Sequence, residues 1–148
     1  MKTTQEEKLE KFGPGPWIDE PDHVEFRHEG FPCIIHRNHG GVWCGYVAVP
    51  PGHPWHGKEY YGVCEGGVHA DVHGGLTYAE ECQGEICHVP APGEPDNVWW
   101  VGFDCGHSYD LCPYMHKQFP VAYRGTYRDQ DYVTGEVKSL AVQAKAAQ

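Results

Sequence analysis

Nineteen glycines and twelve prolines punctuate this chain of 148 residues. Proline offers no backbone donor and glycine adds backbone freedom, so both interrupt regular structure. Such density favours many short strands joined by tight turns over a helical bundle. Aromatic residues make up 13% of the chain and recur along most of it, which is not the composition of a disordered chain. The length suits one domain with a core that needs no staples. We therefore expect an α+β domain. Its curved, mostly antiparallel β-sheet has about five to seven strands, with a C-terminal α-helix packed on one face.

Residues 1–16 read as a flexible leader and residues 17–148 as the single domain. Thr4 to Phe12 has the makings of a short exposed helix, which Gly13-Pro14-Gly15-Pro16 stops. His23 to Arg27 alternates, Cys33 to His36 is a short apolar run, and Asn38-His39-Gly40-Gly41 reads as the turn into Val42–Val49. Val68, Ala70 and Val72 alternate with His69, Asp71 and His73, as in a half-buried strand. Cys87-His88-Val89 is a further strand candidate, and Val98 to Asp104 reads as a buried strand. Thr126 to Asp129 resembles a capping box. Tyr132, Val133, Val137, Leu140, Ala141 and Ala144 recur with helical period, and Gly135 weakens that helix by about 1 kcal/mol relative to Ala.

Charge is distributed unevenly along the chain. Between Glu59 and His116 there is no lysine or arginine, but there are ten carboxylates, five histidines and five cysteines. A segment without fixed positive charge, rich in anionic and soft donors, would accommodate a cation. The net charge of −10 repels a phosphate backbone, so no duplex nucleic acid is expected as a partner. A small molecule or a host protein fits better. The charged start has no apolar core of a secretory signal, and no run approaches the ~20 apolar residues of a membrane span. Seven cysteines, an odd number, suit a reducing cytoplasm with thiols free or metal-bound.

Two constellations carry the expected site. His69-x-Asp71-x-His73 precedes Gly74-Gly75, whose missing side chains let backbone approach a ligand. Asp104, His107 and Asp110 recur every three residues after the apolar strand and would share one side of a helical turn. His73, Asp104 and His107 are the expected ligands of a divalent metal, zinc among the candidates. Asp71 or Asp110 would act as catalytic base on bound water. Solvated polar positions and an Asp cap are the ordinary alternatives. Cys82, Cys87, His88, Cys105 and Cys112 could form a zinc set, although no Cys-x-x-Cys occurs. A Cys82–Cys87 bridge would need an oxidising setting. Gly74 and Gly75, with an aromatic wall of Trp55, Trp99 and Trp100, would line a ligand pocket. Trp99 and Trp100 face opposite ways on a strand, so only one enters a given core. Nucleotide-binding glycine loops, the nucleophile elbow and His-Glu-x-x-His are missing, which argues against nucleotide-fold enzymes and serine hydrolases.

The stretches GHPWHGK (52–58), VHGGLTY (72–78), WWVGFDCGH (99–107) and YRDQDYV (127–133) together resemble a family of small bacteriophage and actinobacterial proteins with no assigned activity. The resemblance spans roughly Gly13 to Val142. Members often carry Ala at the place of Gly106 and Gly near Tyr109, in the loop beside the expected site. The resemblance implies a phage or host-cytosol setting, where small proteins neutralise host factors, including by sequestering signalling nucleotides. A small cytosolic protein with a metal- or ligand-binding pocket is the leading expectation; if it is an enzyme, metal-assisted hydrolysis is the simplest chemistry. A non-catalytic phage inhibitor of host factors and a structural zinc protein are the alternatives.

Overall fold

Alternating apolar residues build the sheet. The computed structural model describes residues 4–61 and 66–148. Strands β1 (His23–His28), β2 (Phe31–Arg37), β3 (Trp43–Val49), β4 (Tyr78–Glu81) and β5 (Trp99–Asp104) form one five-stranded sheet in the order β1-β2-β3-β5-β4. Every neighbouring pair is antiparallel. Helix α1 (Thr4–Phe12) and a 3-10 turn (Pro16–Asp19) precede the sheet. Helices α2 (Pro113–Gln118) and α3 (Gln130–Ala146) follow it. Among the described residues no helix is long and apolar enough to cross a membrane.

The β2–β3 turn forms at Asn38, as its residues predict. Its Oδ1 accepts the Gly40 N–H at 2.9 Å and the Val42 N–H at 3.3 Å. The pleat then sends Cys33, Ile35, Val47, Val101 and Phe103 to one face, where Val133, Val137, Leu140, Ala141 and Ala144 of α3 cover them. The other face carries Ile34, Cys44, Tyr46, Ala48 and Trp100, with Ile86 and Val98 of the segment before β5 in the same cluster. Both faces of the central strands are thus covered, which is why β3 is buried along its whole length.

Helix α3 comes close at Gly45. A Cβ there would lie 2.4 Å from Val137 Cγ2 and 2.7 Å from Phe103 Cζ. The helix is capped by Asp129, whose side chain accepts the Tyr132 N–H, and not by a box starting at Thr126.

Three expectations need correction. The sheet is not curved: it is open, and its ladders pair residue for residue. Curvature needs bulges or glycine kinks, and the strand glycines Gly45 and Gly102 instead make room for side chains packed against them. Residues 66–77 form no strand of the sheet. Val68 and Val72 are buried there and His69 and Asp71 exposed, but the backbone bonds to α3 side chains. Asp71 N–H donates to Gln143 Oε1, and Gln143 Nε2 donates back to Asp71 O. Cys87–Val89 is likewise irregular, with only a Gln83–Ile86 bridge before it.

Helix α1 contacts the residues that precede the sheet. Phe12 is buried, and Lys8 Nζ donates to the carbonyls of Trp17 and Glu20 and pairs with Asp22. Burial of an ammonium requires such partners, and Glu20 and Asp22 belong to the clasp around Arg37. That guanidinium also reaches Asp22, Glu20 and the Tyr127 hydroxyl, and lies 4.4 Å over the Trp43 ring.

Replacing Gly45 with Ala tests the helix–sheet approach. The added methyl has no room, so stability should fall by about 1–3 kcal/mol. Urea unfolding would report this as a lower midpoint with unchanged slope. An unchanged midpoint would show that α3 is not seated as described.

Candidate metal centre

The loop after β5 turns sharply because Asp110 closes it. Asp110 N–H donates to His107 O at 2.9 Å, and the carboxylate accepts the His107 N–H at 3.0 Å. Strand-like bonds from Leu111 N–H to Thr126 O and from Thr126 N–H to Tyr109 O then bring the approach to α3 alongside. Gly74 sits in the left-handed region at φ 69°, in the turn that Gly75 N–H closes onto Val72 O. A Cβ on Gly74 would lie 2.1 Å from His107 Cε1, so glycine lets this turn meet the imidazole.

These segments converge on one carboxylate. The Asp110 side chain is fully buried. His73 Nε2 lies 2.9 Å from both its oxygens, and His107 Nδ1 lies 3.0 Å from Oδ2. Arg128 Nε donates to Oδ1 at 2.9 Å. An ionised carboxylate only accepts, so both facing ring nitrogens carry protons. His73 Nδ1 is hydrogen-bonded to the Tyr132 hydroxyl at 2.8 Å, and the His73 N–H donates to Glu136 Oε1. The Tyr109 ring stacks on His107 with an interplanar angle of 7°.

Burial alone would push the Asp110 carboxyl up. Hydrogen bonds from His73, the His107 N–H, Arg128 and the His107 ring outweigh it and bring the group down to about 2. The neighbouring Cys105 thiol moves the other way, raised by burial first and by the Asp110 charge second. A thiol so placed stays protonated and is no nucleophile.

His73, His107 and Asp110 each offer a ligand atom, and these atoms all lie within 4.8 Å of one another. The protein therefore contains a His/His/Asp site able to coordinate a metal ion. Asp104 does not join it. Asp104 ends β5, so the strand directs its side chain: Oδ2 accepts from the Thr77 hydroxyl and Oδ1 from the Gly106 N–H. Asp71 is exposed on the segment bonded to Gln143, away from the three ligands. Gly74 and Gly75 do lie at the site's turn.

The expected aromatic wall does not assemble. Trp55 is buried in the core under α3, Trp99 packs against that same core, and Trp100 is fully buried on the opposite face. Nor do the thiols form a zinc set. Cys82 and Cys87 are joined as a disulfide, Cys105 is buried, and Cys112 Sγ donates to Gly40 O. Sequence reasoning missed Arg128, Tyr109 and Glu136, and placed Tyr132 in the core stripe. Tyr132 and Glu136 are four apart on a helix and share a face, and that spacing was the available signal.

Comparison with protein-family models, curated proteins and solved structures found no match.

Acid unfolding should expose the carboxylate. Its folded value is depressed from 3.8 to about 2. Its stabilisation is therefore present above pH 3.8 and lost as pH falls through about 2, amounting to about 2 kcal/mol. Asp110→Asn should be destabilised by at least that much at pH 7, with the gap to the native protein narrowing towards pH 2. Urea titrations at several pH values measure this, and a gap independent of pH would contradict it.

Proposed function

We propose that this protein binds one divalent metal ion between His73, His107 and Asp110, and that the ion is zinc. The observation that carries the reading is three convergent ligand atoms around a buried, ionised carboxylate. The spacing supports it. Ligand atoms in a tetrahedral zinc site sit about 3.3 Å apart, given bonds near 2.0–2.1 Å. The imidazole–carboxylate distances of 2.9–3.0 Å need open only slightly once metal replaces the ring protons. The outer partners also suit a ligand set: the Tyr132 hydroxyl holds the far nitrogen of His73, and Arg128 holds the second carboxylate oxygen. Arg128 also places a positive charge beside the cation, which moderates affinity.

Two imidazoles and one carboxylate leave a fourth position open, the arrangement of catalytic rather than structural zinc. His73, His107 and Asp110 would hold the ion, which would supply Lewis acidity for activating water, so metal-assisted hydrolysis of a small molecule is the chemistry we infer. Asp110 is committed as a ligand and Asp71 lies apart, so the general base is not assigned to either. A structural zinc protein would need a fourth protein ligand, and among the described residues no thiol sulfur joins the cluster of three ligand atoms. The inhibitor reading loses its surface, because the three tryptophans are not on one wall.

The phage-type kinship and cytoplasmic setting belong to the same proposal and rest on the sequence motifs. The Cys82–Cys87 bridge weighs against a reducing compartment. Mass spectrometry of protein alkylated at lysis should find both thiols modified if the setting is cytoplasmic. Two unmodified, bridged cysteines would overturn that part alone.

Equilibrium dialysis against Zn(II), read by elemental analysis, should give one ion per chain. Co(II) should give the visible absorption of a low-coordinate site. His73→Ala, His107→Ala and Asp110→Asn should each weaken binding at least tenfold, with far-UV circular dichroism confirming that the variants fold. No metal uptake by the native protein would end the proposal.

A further inference from the structure

Arg128 is used only in part. Its Nε donates to Asp110 Oδ1, while Nη1 and Nη2 make no hydrogen bond among the described residues. The side chain is 23% exposed, so the terminal nitrogens are reachable. The guanidinium carbon lies 5.0 Å from the Tyr132 ring centroid and 6.0 Å from that of Tyr109. Two rings and a buried carboxylate therefore hold the group in one orientation. An exposed lysine would have no such seat.

Its position relative to the ligands is equally specific. Arg128 shares the Asp110 carboxylate with both imidazoles, His73 and His107. Tyr109 stacks on His107, and Tyr132 bonds His73, so the residues that seat the arginine also border the ligands. No lysine or arginine occurs from Glu59 to His116, so this fixed positive charge is brought in from outside the acidic stretch.

We infer that the terminal guanidinium nitrogens of Arg128 bind a phosphate group, held between this arginine and the metal of the His73–His107–Asp110 site. The inference rests on the metal reading above. A guanidinium offers parallel N–H donors that match two oxygens of an oxyanion. A dication and a guanidinium together favour a dianion over a monoanion, which selects phosphate over carboxylate. The net charge of −10 opposes long polyanions, leaving small phosphate compounds as the ligand class. Exposed Tyr109 and Tyr132 rings beside the arginine would flank the organic part of a phosphomonoester.

Isothermal titration of zinc-loaded protein with inorganic phosphate, phenyl phosphate and acetate tests this. Phosphate and phenyl phosphate should bind, with acetate at least tenfold weaker. With zinc held at saturation for each variant, Arg128→Gln should lose at least tenfold in phosphate affinity, and Arg128→Lys should recover part of the loss. Tighter binding of phenyl phosphate than of inorganic phosphate would identify an ester as the ligand, and equal binding the free anion. Phosphate affinity unchanged in Arg128→Gln, or acetate binding as tightly as phosphate, would overturn the inference. If the native protein takes up no zinc, the metal reading fails separately. The arginine is then tested on the metal-free protein, where absence of Arg128-dependent phosphate binding overturns it too.

Discussion

A carboxylate with no solvent exposure remains ionised only if donors replace its lost water, and Asp110 has donors from three separate segments. The turn at 72–75 sends His73, the loop after β5 supplies the His107 ring and backbone, and the approach to α3 supplies Arg128. Each donor is far from the others in sequence or held by a turn of its own. The segments are obliged to meet because a buried charge left with fewer partners is costly. The same convergence creates the ligand set. The group that ties the structure together is the group that makes the site electronegative.

Three consecutive residues place α3 relative to everything else. Tyr127 reaches the Arg37 and Glu20 clasp, Arg128 reaches Asp110, and Asp129 caps the helix. Glu20 also accepts the Gln130 N–H, so the clasp holds the first turn directly. With its start pinned, the helix lies over Gly45 and turns Tyr132 and Glu136 towards His73. The orientation of one imidazole is thus a consequence of helix placement, and the clasp that sets it includes Glu20 and Asp22, just before β1. Lys8 extends this network to α1.

Much of the sheet was legible because the pleat is a local rule. The Asn38 turn, the alternation of β1 and the split between Trp99 and Trp100 follow from backbone geometry and period alone. Residues 68–73 have the same alternation, yet the Asp71 and His73 N–H groups bond to Gln143 and Glu136 of α3. Period two identifies extended chain without saying what satisfies its backbone. Asp104 shows a similar limit. It shares a three-residue spacing with His107 and Asp110, but only the latter two lie in the turn, while Asp104 still follows the strand. The lack of curvature was unreadable for a related reason. Glycine in a strand can serve a kink or a close contact, and at Gly45 and Gly102 contact prevails.

From residue order alone come the α+β class, the turn positions, the helix at the C-terminus and the acidic, lysine-free stretch that contains His73, His107 and Asp110. These depend on interactions between near neighbours or on composition, which a linear reading captures. Tertiary structure alone decided that Asp110 is the shared centre, that Arg128 enters from outside the acidic stretch and that the tryptophans part company. Those outcomes are set by which distant segments must approach to neutralise one buried charge, and spacing along the chain carries no record of that.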